Sequence, residues 1–269
     1  MKAEFKWQLE LGRFPLFPTL SLKGEGETFV LTGTSIAGGS RRMEQDQLEH
    51  YRRFGHRYAE VVHDFLGSGY RDPSPPQLTG DEVLLERFQS LAPGKKGLDA
   101  GCGPGARDVY LLHTRGYDMR GVDALQGNLD VAAELHPEIA DRLEVADLSQ
   151  PLRFPDASFD FVACNAVIQH ISPELVKGVT LPELIRVLGP GGVLQLMFKS
   201  GSGIGTVLDP DYDVQRSFQL YTEHEILAVV EQHGCSLIGA DGEDGLGGVM
   251  FFTDYKPMRH CVFHARKAQ

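Results

Sequence analysis

No apolar run in this chain approaches the ~18 residues that span a bilayer, and the N-terminus carries no charged-then-apolar signal arrangement. The expectation is a cytoplasmic protein, neither exported nor membrane-bound. Positive charge is also short: 26 Lys and Arg stand against 37 Asp and Glu, a formal charge of −11. Nucleic-acid binding draws much of its affinity from clustered Lys and Arg, so a long anionic polymer is not expected as partner. The basic residues come only in pairs, Arg41-Arg42, Arg52-Arg53 and Lys95-Lys96. The four cysteines, Cys102, Cys164, Cys235 and Cys261, form no C-x-x-C pair and have no His at metal spacing. They read as reduced thiols, and no metal site is expected.

What the chain does have is enough length, 269 residues, for one large α/β domain with extensions. Residues 1–42 form a β-rich extension: Phe5, Trp7, Leu9 and Leu11 alternate with polar residues, as do Leu20, Leu22, Phe29 and Leu31 around Gly24-Glu25-Gly26-Glu27. Period two with a glycine turn predicts a hairpin or short meander, a candidate cap or homodimer contact. Residues 43–92 read as a helical cap. Leu48, Tyr51, Tyr58, Val61, Val62 and Phe65 fall at helical spacing, a Pro-rich linker (Asp72 to Pro76) follows, and a second helix runs from Asp81 to about Leu91.

From residue 93 to 269, strand and helix alternate, the mark of a doubly wound, mostly parallel sheet. Strands are expected at Lys96–Ala100, Met119–Asp123, Leu143–Ala146, Phe159–Asn165 and Val193–Phe198. Helices are expected at Ala106–Thr114, Asn128–Leu135 and Pro173–Leu188. Thr222 and Glu225 form a capping box for a final helix ending at Gly234. Apolar stretches at Cys235–Ala240 and His260–Ala265 bracket a Gly-rich segment, 241–258, long enough to be a functional loop.

The string Gly97-Leu98-Asp99-Ala100-Gly101-Cys102-Gly103-Pro104-Gly105 joins a buried strand to a glycine turn. Glycines at alternate positions let the backbone bend sharply and approach a ligand closely, with the next helix aiming free amides into the gap. Gly101, Gly103 and Ala106 satisfy a loose dinucleotide pattern, so an NAD(P)-dependent oxidoreductase is one reading. Asp123 ends the second strand, where a carboxylate accepts hydrogen bonds from ribose hydroxyls of either an NAD or an adenosyl cofactor.

The full string, with Asp99 ahead of the turn and Pro104 within it, resembles motif I of the class I S-adenosylmethionine (SAM)-dependent methyltransferases. Phe154 to Val162 resembles the entry to strand four of the small-molecule type in that family, and Leu184 to Gly192 the turn before strand five. The resemblance runs over about 96–199. It implies a seven-stranded Rossmann-like sheet whose last strand is antiparallel, and SAM as cofactor, released as S-adenosylhomocysteine. The cofactor contacts it implies are Asp99, Gly101 and Gly103 in the turn, Asp123 with Ala124, and Asn165. Asp147 would receive the adenine amino group, and the Leu148 amide would meet a ring nitrogen. The first helix of relatives folds over the cofactor, which makes Tyr51 or Tyr58 a further contact.

His170 runs off the end of strand four and is the candidate general base, or else a pocket contact. The segment after strand five, Gly201 to Asp213, is acidic and rich in turn formers. It is expected to help form the acceptor pocket, and its carboxylates read equally well as an attraction for a cationic acceptor or as ordinary surface-loop acidity. A small-molecule acceptor is favoured over nucleic acid, since Asn165-Ala166-Val167-Ile168 stands where many base-methylating enzymes carry an Asn/Asp-Pro-Pro-aromatic tetrapeptide. A SAM-binding module without turnover remains the third reading.

Overall fold

The structure is a computed structural model that describes residues 9–11, 20–24, 27–31, 36–67, 69–240 and 242–269, with side chains from residue 46 onward except 64. Two compact units emerge, Met1–Arg42 and Met43–Gln269. In the first, β1 (Leu9–Leu11), β2 (Leu20–Gly24) and β3 (Glu27–Leu31) form an antiparallel meander in which Gly24 pairs with Glu27. The expected alternation at Phe5 and Trp7 and the turn residues Glu25 and Gly26 lie outside the described residues.

Helix α1 (Ile36–Val61) follows, with non-helical backbone at Phe54 next to Gly55. Then come β4 (Arg71–Ser74), α2 (Asp81–Leu91), β5 (Lys96–Ala100), α3 (Arg107–Thr114), β6 (Asp118–Asp123), α4 (Gln126–Leu135), β7 (Leu143–Val145) and β8 (Phe159–Asn165). The chain continues through α5 (Pro173–Leu175), α6 (Leu181–Val187), β9 (Leu188–Lys199), β10 (Gly203–Asp209) and β11 (Val214–Leu220). It closes with α7 (Glu223–Gln232), β12 (Cys235–Leu237), β13 (Met250–Thr253) and β14 (Arg259–Lys267).

The main sheet runs β4-β13-β14-β9-β8-β5-β6-β7, with β12 also on β14. Strands β7, β6, β5, β8 and β9 are parallel, and the others join antiparallel. The doubly wound fold class therefore stands, but the sheet has nine strands where seven were expected. The additional strands come from the Pro-rich linker (β4) and the Gly-rich segment (β13). Pro73 is tolerated because β4 is an edge strand, where a missing N–H breaks no inner ladder.

Both faces of the parallel strands are apolar. Leu98, Val162, Leu194 and Phe198 face one core, while Phe161, Ala163, Met119 and Val193 face the other with Leu85 and Phe88 of α2. Such strands read as continuous apolar runs because helices cover both sides.

Two further expectations change. The helix over 173–188 is broken by a wide turn at Val176–Thr180. Pro182, without an N–H, withholds the bond that an unbroken helix would direct at Gly178. The segment after strand five is no open loop: β10 and β11 make an antiparallel hairpin from Gly203↔Leu220 to Asp209↔Val214.

Candidate active site

One cleft, of about 440 Å³, opens at the C-terminal end of the parallel strands. That is where open α/β sheets bind ligands, and the volume lies in the lower part of the ~300–1,000 Å³ range of such sites. Its sheet-end half is built by the glycine turn. Gly101 (φ +90°) and Gly103 (φ +65°) adopt left-handed backbone. The Gly101 and Cys102 amides bond to the Val122 carbonyl at 2.8 and 2.9 Å, strapping the turn to β6. A Cβ on Gly101 would sit 2.4 Å from Val167 Cγ2, so no side chain fits there.

Asp123 stands at the mouth of this turn. Its Oδ1 accepts from the Leu125 amide and from Asn128 Nδ2, both at 2.9 Å, and its Oδ2 accepts from the Gly103 amide at 3.1 Å. A carboxylate has about four acceptor positions, so one remains open to the cleft. Burial raises its pKa, and these three hydrogen bonds oppose the shift. Asp99, behind the turn, is pushed well up by burial and then by the Asp108 carboxylate.

Ala124 and Asp147 line the cleft as exposed residues, and Leu148 lines it buried. Asp147 Oδ1 accepts from the Ser149 amide at 2.8 Å, and the Leu148 carbonyl accepts from Thr180 Oγ1 at 2.8 Å. The Ser149 amide takes one acceptor position of Asp147, so the carboxylate keeps others at the rim.

Asn165, at the end of β8, is oriented from the far strand. His264 Nε2 donates to Gln195 Oε1 at 2.8 Å, Gln195 Nε2 donates to Asn165 Oδ1 at 3.0 Å, and Asn165 Nδ2 points at Asp108 Oδ2 at 3.5 Å. Burial lowers the His264 pKa to about 3, with Arg87 adding to the effect. The unfolded chain would bind a proton near pH 6.5 that the folded chain refuses, so stability contributed here is lost as pH falls below that value. His264→Leu is therefore expected to flatten the pH dependence of urea unfolding between ~pH 7.5 and ~pH 5.5 by about 1.4 kcal/mol. An unchanged difference between the two pH values would remove the neutral buried imidazole from the account.

The second half of the cleft is walled by α1, the β10–β11 hairpin and the ends of β9, β13 and β14. Tyr51 of α1 lies 3.1 Å from His170 Nε2, and Arg216 Nη2 donates to the Tyr51 oxygen at 3.0 Å. The guanidinium occupies one lone pair of the phenol, leaving its proton free for the imidazole. Tyr58 packs edge-on against Tyr51 at 5.1 Å and also lines the cleft, so both tyrosines of the first helix are brought there. Burial pushes the His170 pKa well below 6.5, and the charges of Arg216 and Lys199 push it further, so this imidazole is neutral and a weak base.

The hairpin's contribution is a correction in sign. Asp209 is fully buried and pairs with Arg216 at 3.1 Å and Lys256 at 3.4 Å, while Asp211 pairs with Lys256 at 3.1 Å and accepts from Tyr255 at 2.7 Å. These carboxylates face cations of their own chain and are not offered to a cationic acceptor. What the hairpin presents to the cleft is Arg216 and Phe218.

Lys199, Arg216, Phe218, Phe252 and His260 went unread in the sequence. The alternation Val214, Arg216, Phe218, Leu220 was the one available signal, a strand face hidden beside an acidic turn. Among the described residues, no group of three or more His, Cys, Asp or Glu is arranged to hold a metal ion, and no helix is long and apolar enough to cross a membrane.

The sheet order, the glycine turn and an acidic residue closing the next strand define a class I methyltransferase fold. Residues 98–196 match the family described as a methyltransferase domain. Over 107 residues it is 35% identical to 2-methyl-6-phytyl-1,4-hydroquinone methyltransferase of Synechocystis sp., covering 40% of this chain and 33% of that protein. The chain spans at most half the length of the curated relatives it matches. A solved N1-methyltransferase from Burkholderia thailandensis, holding 1,6-didemethyltoxoflavin and S-adenosylhomocysteine, superposes with a TM-score of 0.59 at 15% identity, covering 100% of this chain and 99% of that one. The cyclase SpnF superposes with a TM-score of 0.58 at 17% identity, covering 84% and 97%.

Proposed function

We propose that the protein transfers a methyl group from SAM to a small-molecule acceptor, with residues 93–269 as the SAM-binding domain, 43–92 as its helical cap and 1–42 as a separate β-rich extension. The observation that carries this reading is the glycine turn closed over an Asp123 carboxylate that keeps one acceptor position facing the cleft. The group fits: Gly101 and Gly103 leave room beside the backbone, and Asp123 takes a ribose hydroxyl, or both if the Gly103 amide releases it. Ala124 lies against the same moiety. Asp147 and the Leu148 amide would read the adenine edge, and Asp99, Asn165 and Tyr51 would line the amino-acid end.

Bound SAM supplies an activated methyl carbon open to in-line displacement. The protein's own share is alignment and exclusion of water, which is worth ~7–11 kcal/mol in favourable cases. His170 accepts a proton only from an acceptor that gives one up readily, because a neutral imidazole of low pKa is a weak base. Between times, it and Arg216 hold the Tyr51 hydroxyl in place.

The same reading has the enzyme in the cytoplasm, acting on neither nucleic acid nor membrane, and it allows a homodimer through the N-terminal strands. Calorimetry with S-adenosylhomocysteine tests it. Saturable binding is expected, with no response in an NADH fluorescence titration. NADH binding in place of S-adenosylhomocysteine would support the oxidoreductase instead. Since the fold also carries other chemistry, as in the cyclase SpnF, S-adenosylhomocysteine formation from SAM over an acceptor panel separates turnover from binding alone.

A further inference from the structure

Resting on the methyl-transfer reading, the acceptor half of the cleft also specifies the chemistry of the molecule it takes. Three cations reach it from three elements: Lys199 at the end of β9, Arg216 from β11 and Lys256 from the segment after β13. Two of them already have partners. Arg216 and Lys256 both close on the buried Asp209, and Lys256 also meets Asp211.

Lys199 is different. It is 4% exposed, yet among the described residues no carboxylate oxygen lies within 4.0 Å of its ammonium. Its Nζ lies 3.0 Å from His260 Nε2 and 4.7 Å from the centre of the Phe218 ring. His260 is held neutral, its pKa pushed well below 6.5 by burial and by the charges of Lys199 and Lys256. A neutral imidazole fixes the direction of the ammonium without cancelling its charge.

Asp254 is the remaining carboxylate on this wall. It is buried and accepts from the Lys256 amide at 2.8 Å; burial raises its pKa, and the charges of Lys199 and Lys256, felt from beyond ion-pair distance in the case of Lys199, oppose the shift. A buried cation with no carboxylate in direct contact is costly, and one facing a cleft is a functional-site signal. Aromatic rings stand beside these charged groups. Phe252 stacks on His260 with ring centres 4.8 Å apart and planes 5° apart, and Tyr70 stacks on its other side.

We propose that the acceptor carries an anionic oxygen group (a carboxylate, phenolate or enolate) on an apolar frame, and that Lys199, propped by His260, binds that group. The oxyanion enters as the missing partner of the ammonium, while the edges of Phe218 and Phe252, whose faces already meet Lys199, Arg216, His260 and Tyr70, border the apolar frame. Two further features agree with this. Burial lowers the Lys199 pKa to about 8, and the charges of Lys256 and Arg216 add to it while Asp254 and Asp209 oppose it, so an arriving anion restores the full charge. A cleft whose imidazole is a weak base also suits an acceptor that arrives already ionised.

The test uses the full chain, with and without saturating S-adenosylhomocysteine, and three probe pairs: benzoate, 4-hydroxybenzoate and 3-phenylpropanoate, each against its methyl ester. Ligand-observed NMR is expected to show the acids binding about ten-fold tighter than the esters, the ratio expected of one charge-assisted hydrogen bond. Lys199→Gln should erase the preference and Lys199→Arg should keep part of it, with S-adenosylhomocysteine affinity unchanged in both. Calorimetry of acid binding near pH 8, in buffers of different ionisation enthalpy, should show uptake of about half a proton by the parent protein and none by Lys199→Gln.

Equal binding of acids and esters, including no binding of either, overturns the proposal. So does an acid preference undiminished in Lys199→Gln. The comparison in the parent protein needs no variant, so a misfolded variant does not remove the test. Loss of S-adenosylhomocysteine binding alone would count against the methyl-transfer reading, while the acid-to-ester ratio without it still decides the anion site.

Discussion

Asp123→Ala is expected to weaken S-adenosylhomocysteine binding by about a hundred-fold or more, the loss of one to two charge-assisted hydrogen bonds at about 1.5–3 kcal/mol each. The size follows from where the carboxylate sits. It touches the glycine turn directly, through the Gly103 amide, and it also fixes the start of α4 through Leu125 and Asn128. Removing it takes away the proposed ribose contact and leaves three donors without an acceptor. Asp123→Asn separates these effects, because its amide oxygen still accepts from Leu125 or Gly103 while the charge is gone. If the ribose reading holds, the parent protein prefers adenosine over 2′-deoxyadenosine and both variants lose that preference. A variant that melts like the parent and binds S-adenosylhomocysteine as tightly would dismiss Asp123 from the cofactor site.

Arg216→Met is expected to destabilise the folded chain by about 3–5 kcal/mol, the range for orphaning one partner of a buried ion pair. Asp209 has no exposed surface, and Arg216 reaches it at 3.1 Å. Lys256, 3.4 Å from the same oxygen, still screens it, so the lower end of that range applies. Arg216 is also the tie between hairpin and cap. Its Nη2 donates to Gln47 Oε1 at 2.8 Å, and Gln47 Nε2 returns a bond to the Ser217 carbonyl at 2.7 Å. Urea unfolding measures the loss. Adding Asp209→Asn to Arg216→Met should recover part of it by removing the stranded charge, whereas a further loss of similar size would mean that packing, not charge, set the effect. Acceptor turnover should fall beyond what stability explains, because Tyr51 loses its donor while His170 remains.

The two residues differ in how far they could be read from the chain alone. Asp123 was legible because its signal is local: a buried strand, a glycine turn, then a second strand ending in a carboxylate. Arg216 was not. It lies 165 positions from Tyr51, and its segment looked like an acidic loop because Asp209, Asp211 and Asp213 dominate it. In the folded protein two of those carboxylates are consumed by Arg216, Lys256 and Tyr255, so a region acidic in composition presents a cation to the cleft.

His170 illustrates a middle case. Its place at the end of strand four was readable from the order of motifs. Its basicity was not, since that depends on burial and on two cations, Arg216 and Lys199, from other strands.

Local chemistry was enough to locate the glycine bend, the parallel core strands and the carboxylate at the end of β6, because positive φ and short-range periodicity leave their mark within a few residues. The nine-stranded sheet, the hairpin and the Lys199–His260 pair, 61 positions apart, arose only on folding. Sheet order and strand register set those contacts, and a slip of one residue would turn Arg216, Phe218 or Lys199 to the opposite face.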